Sequence, residues 1–277
     1  YRVMEELQGV PGIVQPKGYD FVKSGGYLGM LLKMNYLPGK TLNEWLDEGL
    51  PLRDAAKATA DTATALGSLP LYGIVHGDVK PGNVMYQPGE TPGHGKGTLI
   101  DFGLAKKEIG QPFAGISLLS PDLCRLFTRE CVGQRLGIAG GTPGYFSPEQ
   151  VRGEYLTYSS DIFGLGLLSF TAFTGAEALP PFDHAGQVNA LHRMFQLGMY
   201  NEKSKRELVA RLSNYSLPSD LVKAIELAID EVPQRRQLEP LQREAQKLAD
   251  TSIDTVIWSE PEAFCFQTTR LIEALSN

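Results

Sequence analysis

Residues 76–83 read HGDVKPGN, and a short interval later residues 99–103 read LIDFG. No other feature of the chain narrows the possible folds as much. In the first stretch Asp78 follows His76 by two places, with Lys80 two further on and Asn83 three after that. A loop of this length can aim Asp78 at a substrate hydroxyl and Asn83 at a metal ion, with Lys80 in reach of a transferred phosphate. Moving a phosphoryl group needs that set, because the protein's part is to position reactants and neutralise charge. In the second stretch Asp101 is expected to end a short apolar strand, where a carboxylate is costly to bury without a partner. Mg²⁺ suits that place, since it takes oxygen ligands and accepts one or two carboxylates beside phosphates. Gly103 supplies backbone freedom just after the ligand. A charged surface loop or a turn-capping aspartate would account for either stretch by itself; their joint presence favours the chemistry.

The rest of the chain reads as a strand-containing start and a largely helical body. YDFVKSGGYLGMLLKM (19–34) predicts two strands joined through Ser24-Gly25-Gly26. Thr41, with Glu44 three residues later, predicts a capping box at a helix start. The alanine-rich stretch from residue 52 predicts a helix ending near Gly67 or Gly73. NVMY (83–86) and TLID (98–101) predict strands flanking the glycine-rich loop QPGETPGHGKG. Periodicity is weak from 102 to 144, with one helical turn expected around 121–130. Helices are expected over 159–173, 185–197, 203–212, 218–230, 237–250 and 261–275.

HGDVKPGN followed by DFG resembles the catalytic and metal-binding loops of the protein-kinase-like superfamily. Two branches compete. Gly77 leans toward small-molecule kinases of the aminoglycoside-phosphotransferase-like branch, since most protein kinases carry arginine there. Lys80 leans toward Ser/Thr protein kinases. Three later stretches favour the protein kinases. GTPGYFSPE (141–149) resembles the end of a Ser/Thr kinase activation segment, SDIFG (160–164) the start of the central C-lobe helix, and VPQRR (232–236) a late Pro-x-x-Arg element. The resemblance runs from Tyr19 to Arg236 at least.

It implies an α+β, protein-kinase-like fold. Residues 1–37 would be the remnant of an N-lobe with the hinge, and 38–277 a mostly helical C-lobe with a long activation segment at 101–149. By the same resemblance Asp78 orients the acceptor hydroxyl, Lys80 stabilises the transferred group, and Asn83 and Asp101 hold Mg²⁺. Met34 would be the gatekeeper, a core methionine in any reading, and the backbone of Asn35, Tyr36 and Leu37 would meet the adenine of ATP. Thr142 would contact Lys80 and Asp78; the alternative is a turn residue before Pro143. His76 and Gly103 would be structural, Asp161 would brace the catalytic loop, and Glu149 would pair with Arg236 in a buried salt bridge. The implied partners are ATP and a protein substrate bearing Ser or Thr.

Departures from the family pattern carry their own implications. No glycine-rich loop or strand lysine precedes Tyr1, and YRVMEELQGVPGIV resembles the tail of the helix that bears the family's glutamate. That glutamate would fall at or before residue 1, with Glu5 and Glu6 as stand-ins only if the register slips. The chain is therefore expected to be a fragment, nearly inactive by itself, and Lys17, Lys23 and Lys33 are expected to face solvent. Gly77 has no charge to receive a phosphate from the activation segment, so phosphorylation need not switch the enzyme by that route. The interval from Asp101 to Glu149 exceeds the family norm and holds Cys124 and Cys131, seven apart. Idle thiols fit these two better than a metal site, because a structural zinc needs more ligands. A scaffold that has abandoned catalysis is the further alternative, but it would have no chemical need for Asp78, Asn83 and Asp101.

Three cysteines among 277 residues do not make a secreted disulfide framework, so an intracellular, cytoplasmic setting is expected. A formal net charge of −6 argues against a nucleic-acid surface. No apolar run is long enough to span a bilayer.

Overall fold

The computed structural model describes residues 2–24, 27–107, 142, 144–152, 154, 156–176, 178–179 and 199–251. A short helix α1 (Arg2–Glu6) leads into an antiparallel hairpin, β1 (Pro16–Ser24) and β2 (Tyr27–Met34), with Tyr19 opposite Leu32 and Phe21 opposite Met30. This is the hairpin that Ser24-Gly25-Gly26 predicts. Lys17, Lys23 and Lys33 are exposed, and Lys33 pairs with Asp20 at 2.6 Å. Met34 is 43 % exposed. The expectation of a core methionine fails because Met34 lies at the end of β2, opposite Pro16 at the hairpin's open end.

Strand β3 (Lys40–Thr41) runs into α2 (Leu42–Glu48), and the predicted capping box is present: the Glu44 N–H donates to Thr41 Oγ1, and the Glu44 carboxylate accepts from the Thr41 N–H. Helix α3 (Leu52–Ser68) is buried along most of its length. Its alanines at 55, 56, 58, 60, 63 and 65 are buried and let neighbouring elements approach on several sides. The hydroxyls of Thr59, Thr62 and Thr64 donate to carbonyls four residues back, which satisfies them without outside partners. A 3₁₀ turn carries the chain from Leu69 to Gly73.

The short strands come next. β4 (Ile74–Val75) pairs with β7 (Lys106–Lys107), and β5 (Val84–Gln87) pairs with both β3 and β6 (Lys96–Leu99). Strand β6 stops two residues before Asp101, so the expected strand over 98–101 is too long at its end. Two acids of α3 anchor the β5–β6 ribbon. Buried Asp54 accepts from the Tyr86 hydroxyl at 2.6 Å and the Gly93 N–H at 2.8 Å, and Asp61 accepts from the Gly97 N–H at 2.8 Å. Burial and the Asp54 carboxylate push the Tyr86 phenol far up, so it stays a hydrogen-bond donor. Anchoring the ribbon also fixes the chain at Asn83, which precedes β5, and near Asp101, which lies beyond β6.

The helical body continues with α4 (Pro148–Val151), α5 (Tyr158–Thr174), α6 (Glu202–Leu212), α7 (Ser219–Ala228) and α8 (Glu239–Ala249). The last four fall where the sequence predicts helices, within two residues at each end. Helix α5 is buried on nearly every face, which its apolar composition requires. Gly164 lets the loop beside it come close, since a Cβ there would stand 3.1 Å from Val79. Helix α3 packs against α5, α8 and β6, so one helix ties the strands to the body. The helices expected over 185–197 and 261–275, the helical turn at 121–130, and Cys124 and Cys131 lie outside the described residues. Among the described residues no helix is long and apolar enough to cross a membrane.

Candidate active site

The loop 76–83 is held from three sides. Its entry is β4, pinned by β7, and its exit is the 3₁₀ turn Pro81–Asn83 leading into β5. His76 is fully buried between them. The Asp78 N–H donates to His76 Nδ1 at 3.3 Å, so Nδ1 carries no proton. The other nitrogen, Nε2, then bears the hydrogen and donates to the Ile100 carbonyl at 3.0 Å. Burial holds the His76 pKa below the ordinary histidine value, which keeps this neutral tautomer in place. The imidazole also meets Phe102 edge-on at 4.8 Å. One histidine thus joins the stretch containing Asp78 to the stretch containing Asp101.

Asp161 reaches in from the first turn of α5. Its two carboxylate oxygens accept from the His76 N–H at 2.7 Å and the Gly77 N–H at 2.8 Å. Gly77 has φ 80°, a conformation that costs a side-chain-bearing residue roughly 1–2 kcal/mol. The Gly77 carbonyl accepts from Gln150 Nε2 at 3.1 Å.

Asp78 sits at the centre of the constellation and is nearly buried. Its Oδ1 accepts from the Thr142 N–H at 3.1 Å. Its Oδ2 accepts from Asn83 Nδ2 at 2.9 Å and lies 2.7 Å from Lys80 Nζ. Lys80 Nζ also donates to the Thr142 hydroxyl. So the structure brings Asp78, Lys80, Asn83 and Thr142 into one contiguous network.

Asn83 Nδ2 also donates to the Asp78 carbonyl at 2.8 Å. With its amide nitrogen so used, the Asn83 side chain has its oxygen to offer a ligand. The Asn83 backbone carbonyl accepts from the Ile100 N–H at 2.9 Å, which places Asn83 across from the residue before Asp101. Asp101 is exposed and has φ 60° and ψ 73°, with Oδ1 accepting from the Gly103 N–H at 3.1 Å. Sequence reasoning assigns the unusual backbone freedom to Gly103. The left-handed residue is Asp101 itself, and it is the one such non-glycine among the described residues. Aspartate tolerates that region better than most residues, and strain of this kind clusters at functional sites.

Glu149 and Arg236 meet at 2.5 and 3.0 Å, and the Arg236 side chain is 0 % exposed. The guanidinium is also held by the Asp230 and Ser159 carbonyls and lies over the Phe163 ring at 4.7 Å. Ser160 donates to Glu149 at 2.8 Å. This pair anchors α4, and with it the chain that reaches back to Thr142, onto the start of α5.

The residues expected to form a hinge, 35–37, share none of the described hydrogen bonds of this network. The Asn35 N–H donates to the Gln15 carbonyl at 3.0 Å, Tyr36 is 87 % exposed, and Leu37 is half-buried against the core. Sequence reasoning misses Gln150 and Ser160. The Ser147-x-x-Gln150 spacing is a capping-box signal that draws attention to Gln150 once it is noticed; Ser160 has no comparable signal.

The protein kinase domain model matches residues 1–251 of the chain. The serine/threonine-protein kinase PkaA of Streptomyces coelicolor is 34 % identical over 185 residues, covering 66 % of this chain and 29 % of that protein. Serine/threonine-protein kinase pkn3 of Myxococcus xanthus is 31 % identical over 157 residues, covering 56 % and 25 %. Serine/threonine-protein kinase PknB of Mycolicibacterium smegmatis is 31 % identical over 151 residues, covering 54 % and 20 %. The chain spans less than a third of the length of these curated relatives.

Proposed function

This chain belongs to the protein kinase domain family, and from that premise we propose that it serves transfer of the γ-phosphoryl group of ATP to serine or threonine hydroxyls of proteins. The observation that carries the reading is the network around Asp78. Its carboxylate is fixed by Asn83, Lys80 and the Thr142 N–H, which leaves it oriented to receive an acceptor hydroxyl and take up its proton as transfer completes. Lys80, bridging Asp78 and Thr142, is placed to balance charge on the moving phosphoryl group. Catalysis of this kind is positioning plus charge neutralisation, and the loop is built for both.

The residues fit a divalent cation of the Mg²⁺ type. The donor set is one exposed carboxylate, Asp101, and one amide oxygen, Asn83, both hard oxygen ligands. Such a set leaves room for water and phosphate oxygens, as Mg²⁺ prefers. When bound, the ion would neutralise phosphate charge. The protein's own contribution is to hold Asn83 and Asp101 on adjoining chain segments, through the Ile100 N–H to Asn83 carbonyl bond and the bridging His76.

On this reading residues 1–37 are the hinge and the inner part of the N-lobe, and residues from 38 onward form the C-lobe, with the activation segment at 101–149. Gly77 supports a second reading, transfer to a small-molecule alcohol. The Lys80–Thr142 contact and the Glu149–Arg236 pair support a protein acceptor instead.

The test is phosphate transfer from MgATP by the complete natural protein, offered mixed Ser/Thr peptides and, in parallel, amino-sugar and choline-like alcohols. Phosphopeptide from the parent, reduced at least about a hundredfold by Asp101→Asn, is the expected result. Transfer to the alcohols alone would overturn the protein-kinase reading.

A further inference from the structure

Gly77 directly precedes Asp78, and glycine has the widest backbone freedom of any residue. It also offers neighbours no side chain by which to hold it. Space there is tight, since a Cβ at position 77 would stand 3.1 Å from Leu156 Cδ2. The carboxylate oxygens of Asp78 are held by Asn83, Lys80 and the Thr142 N–H, while the backbone from which that side chain departs is held by hydrogen bonds to this stretch. Asp161 holds the His76 and Gly77 N–H groups, and His76 Nδ1 holds the Asp78 N–H. The Gly77 carbonyl, on the same peptide unit as the Asp78 N–H, is held by Gln150 at 3.1 Å.

Gln150 is itself buried and held at its other end. Its Oε1 accepts from the Ser147 N–H at 2.7 Å, while its own backbone N–H donates to the Ser147 hydroxyl at 3.3 Å. A single carboxamide thus spans from the first turn of α4 to the peptide that orients Asp78. We propose that Gln150 is a positioning residue for phosphoryl transfer: it locks the Gly77–Asp78 peptide plane and makes the seating of α4 a condition for a correctly aimed Asp78. The inference rests on the kinase reading for its catalytic consequence and on geometry alone for the lock. Without the amide, the buried Gly77 carbonyl loses its donor, and rotation about the glycine torsions is the least costly way to find another. A misplacement of about 1 Å at a reacting group can cost roughly a hundredfold in rate.

The experiment compares the parent with Gln150→Met, which keeps side-chain length but removes both hydrogen bonds, and with the milder Gln150→Asn, too short to bridge both partners. Turnover, peptide KM and MgATP KM are measured on the complete natural protein well below its melting temperature. Backbone hydrogen exchange is followed over residues 74–84 and, for reference, 52–68. The expected result is kcat lowered at least tenfold in Gln150→Met, less in Gln150→Asn, with both KM values within about twofold. Exchange at 76–79 should accelerate at least tenfold while 52–68 is unchanged. An unchanged kcat with unchanged exchange at 76–79 would overturn the proposal. So would acceleration spread equally over both segments, which marks general destabilisation. If the parent transfers no phosphate, the kinase reading fails, and the exchange comparison still decides whether Gln150 locks the loop.

Discussion

A carboxylate that accepts two consecutive amide hydrogens fixes two peptide planes at once, and Asp161 does this for His76 and Gly77. In Asp161→Asn one of the two oxygens becomes an NH₂ group facing an N–H, so one charge-assisted bond is lost and a buried donor is left facing another. The expected cost is about 2–3 kcal/mol of stability, with turnover falling further than stability explains because Asp78 follows directly. Urea unfolding beside steady-state kinetics checks this; a variant as stable and active as the parent would contradict the bracing role. At this scale the motif residues were legible because their chemistry demands fixed spacing: Asp78, Lys80 and Asn83 lie within one loop. What was not legible was which backbone atom took the strain. Gly103 looked like the flexible position because glycine permits it, but the left-handed turn falls on Asp101, whose side chain folds back onto the Gly103 N–H. Gln150 was hidden for a related reason. Its partner, the Gly77 carbonyl, is 73 residues away in sequence, and a carbonyl has no residue identity to read.

Among elements, α4 is joined to the start of α5 through a buried ion pair and the groups around it. The Glu149–Arg236 pair is buried on both sides, and the guanidinium gives further bonds to two carbonyls. Removing one partner leaves an uncompensated buried charge, so Arg236→Met is expected to cost about 3–5 kcal/mol. Glu149→Leu combined with Arg236→Met should recover a good part of that loss, because the desolvation penalty of both charges disappears together. A double-mutant cycle by thermal or urea unfolding measures the coupling, and strictly additive losses would show that the pair is not the anchor. Elements were legible where periodicity is strong: α5, α6, α7 and α8 lie close to their expected positions, and the Thr41–Glu44 capping box marks the start of α2. Strand ends were less legible. β6 ends short of Asp101 because Asp101, one residue past the Ile100–Asn83 bond, takes the left-handed conformation, and no local pattern announces that.

Across the whole molecule, buried ionisable groups with shifted pKa values join α5, α4 and the segments around them, so acid should act on the assembly rather than on one element. Burial holds His76 below its ordinary value of 6.5 in the folded chain. The unfolded chain takes up that proton near 6.5 while the folded chain resists it, so the unfolded form binds more protons as pH falls and stability declines. Glu149 acts lower. Burial alone would raise it, but the Arg236 guanidinium and the Ser160 hydroxyl overcome that and hold it below 4.5. Asp230 is likewise pulled below 3.8 against its burial, by Lys205 and the Val232 N–H. Both carboxylates contribute stability that is full above their unfolded values and is lost as pH falls through the folded ones. The urea midpoint should therefore be flat from about pH 8 to 7, decline through a first step below 6.5, and decline again below 4.5. The His76 imidazole resonance should titrate below 6.5 in the same samples. A midpoint that rises between pH 7 and 5 would mean that His76 is not held neutral, and the hydrogen-bonded link it makes between Asp78 and the Ile100 carbonyl would have to be reassigned.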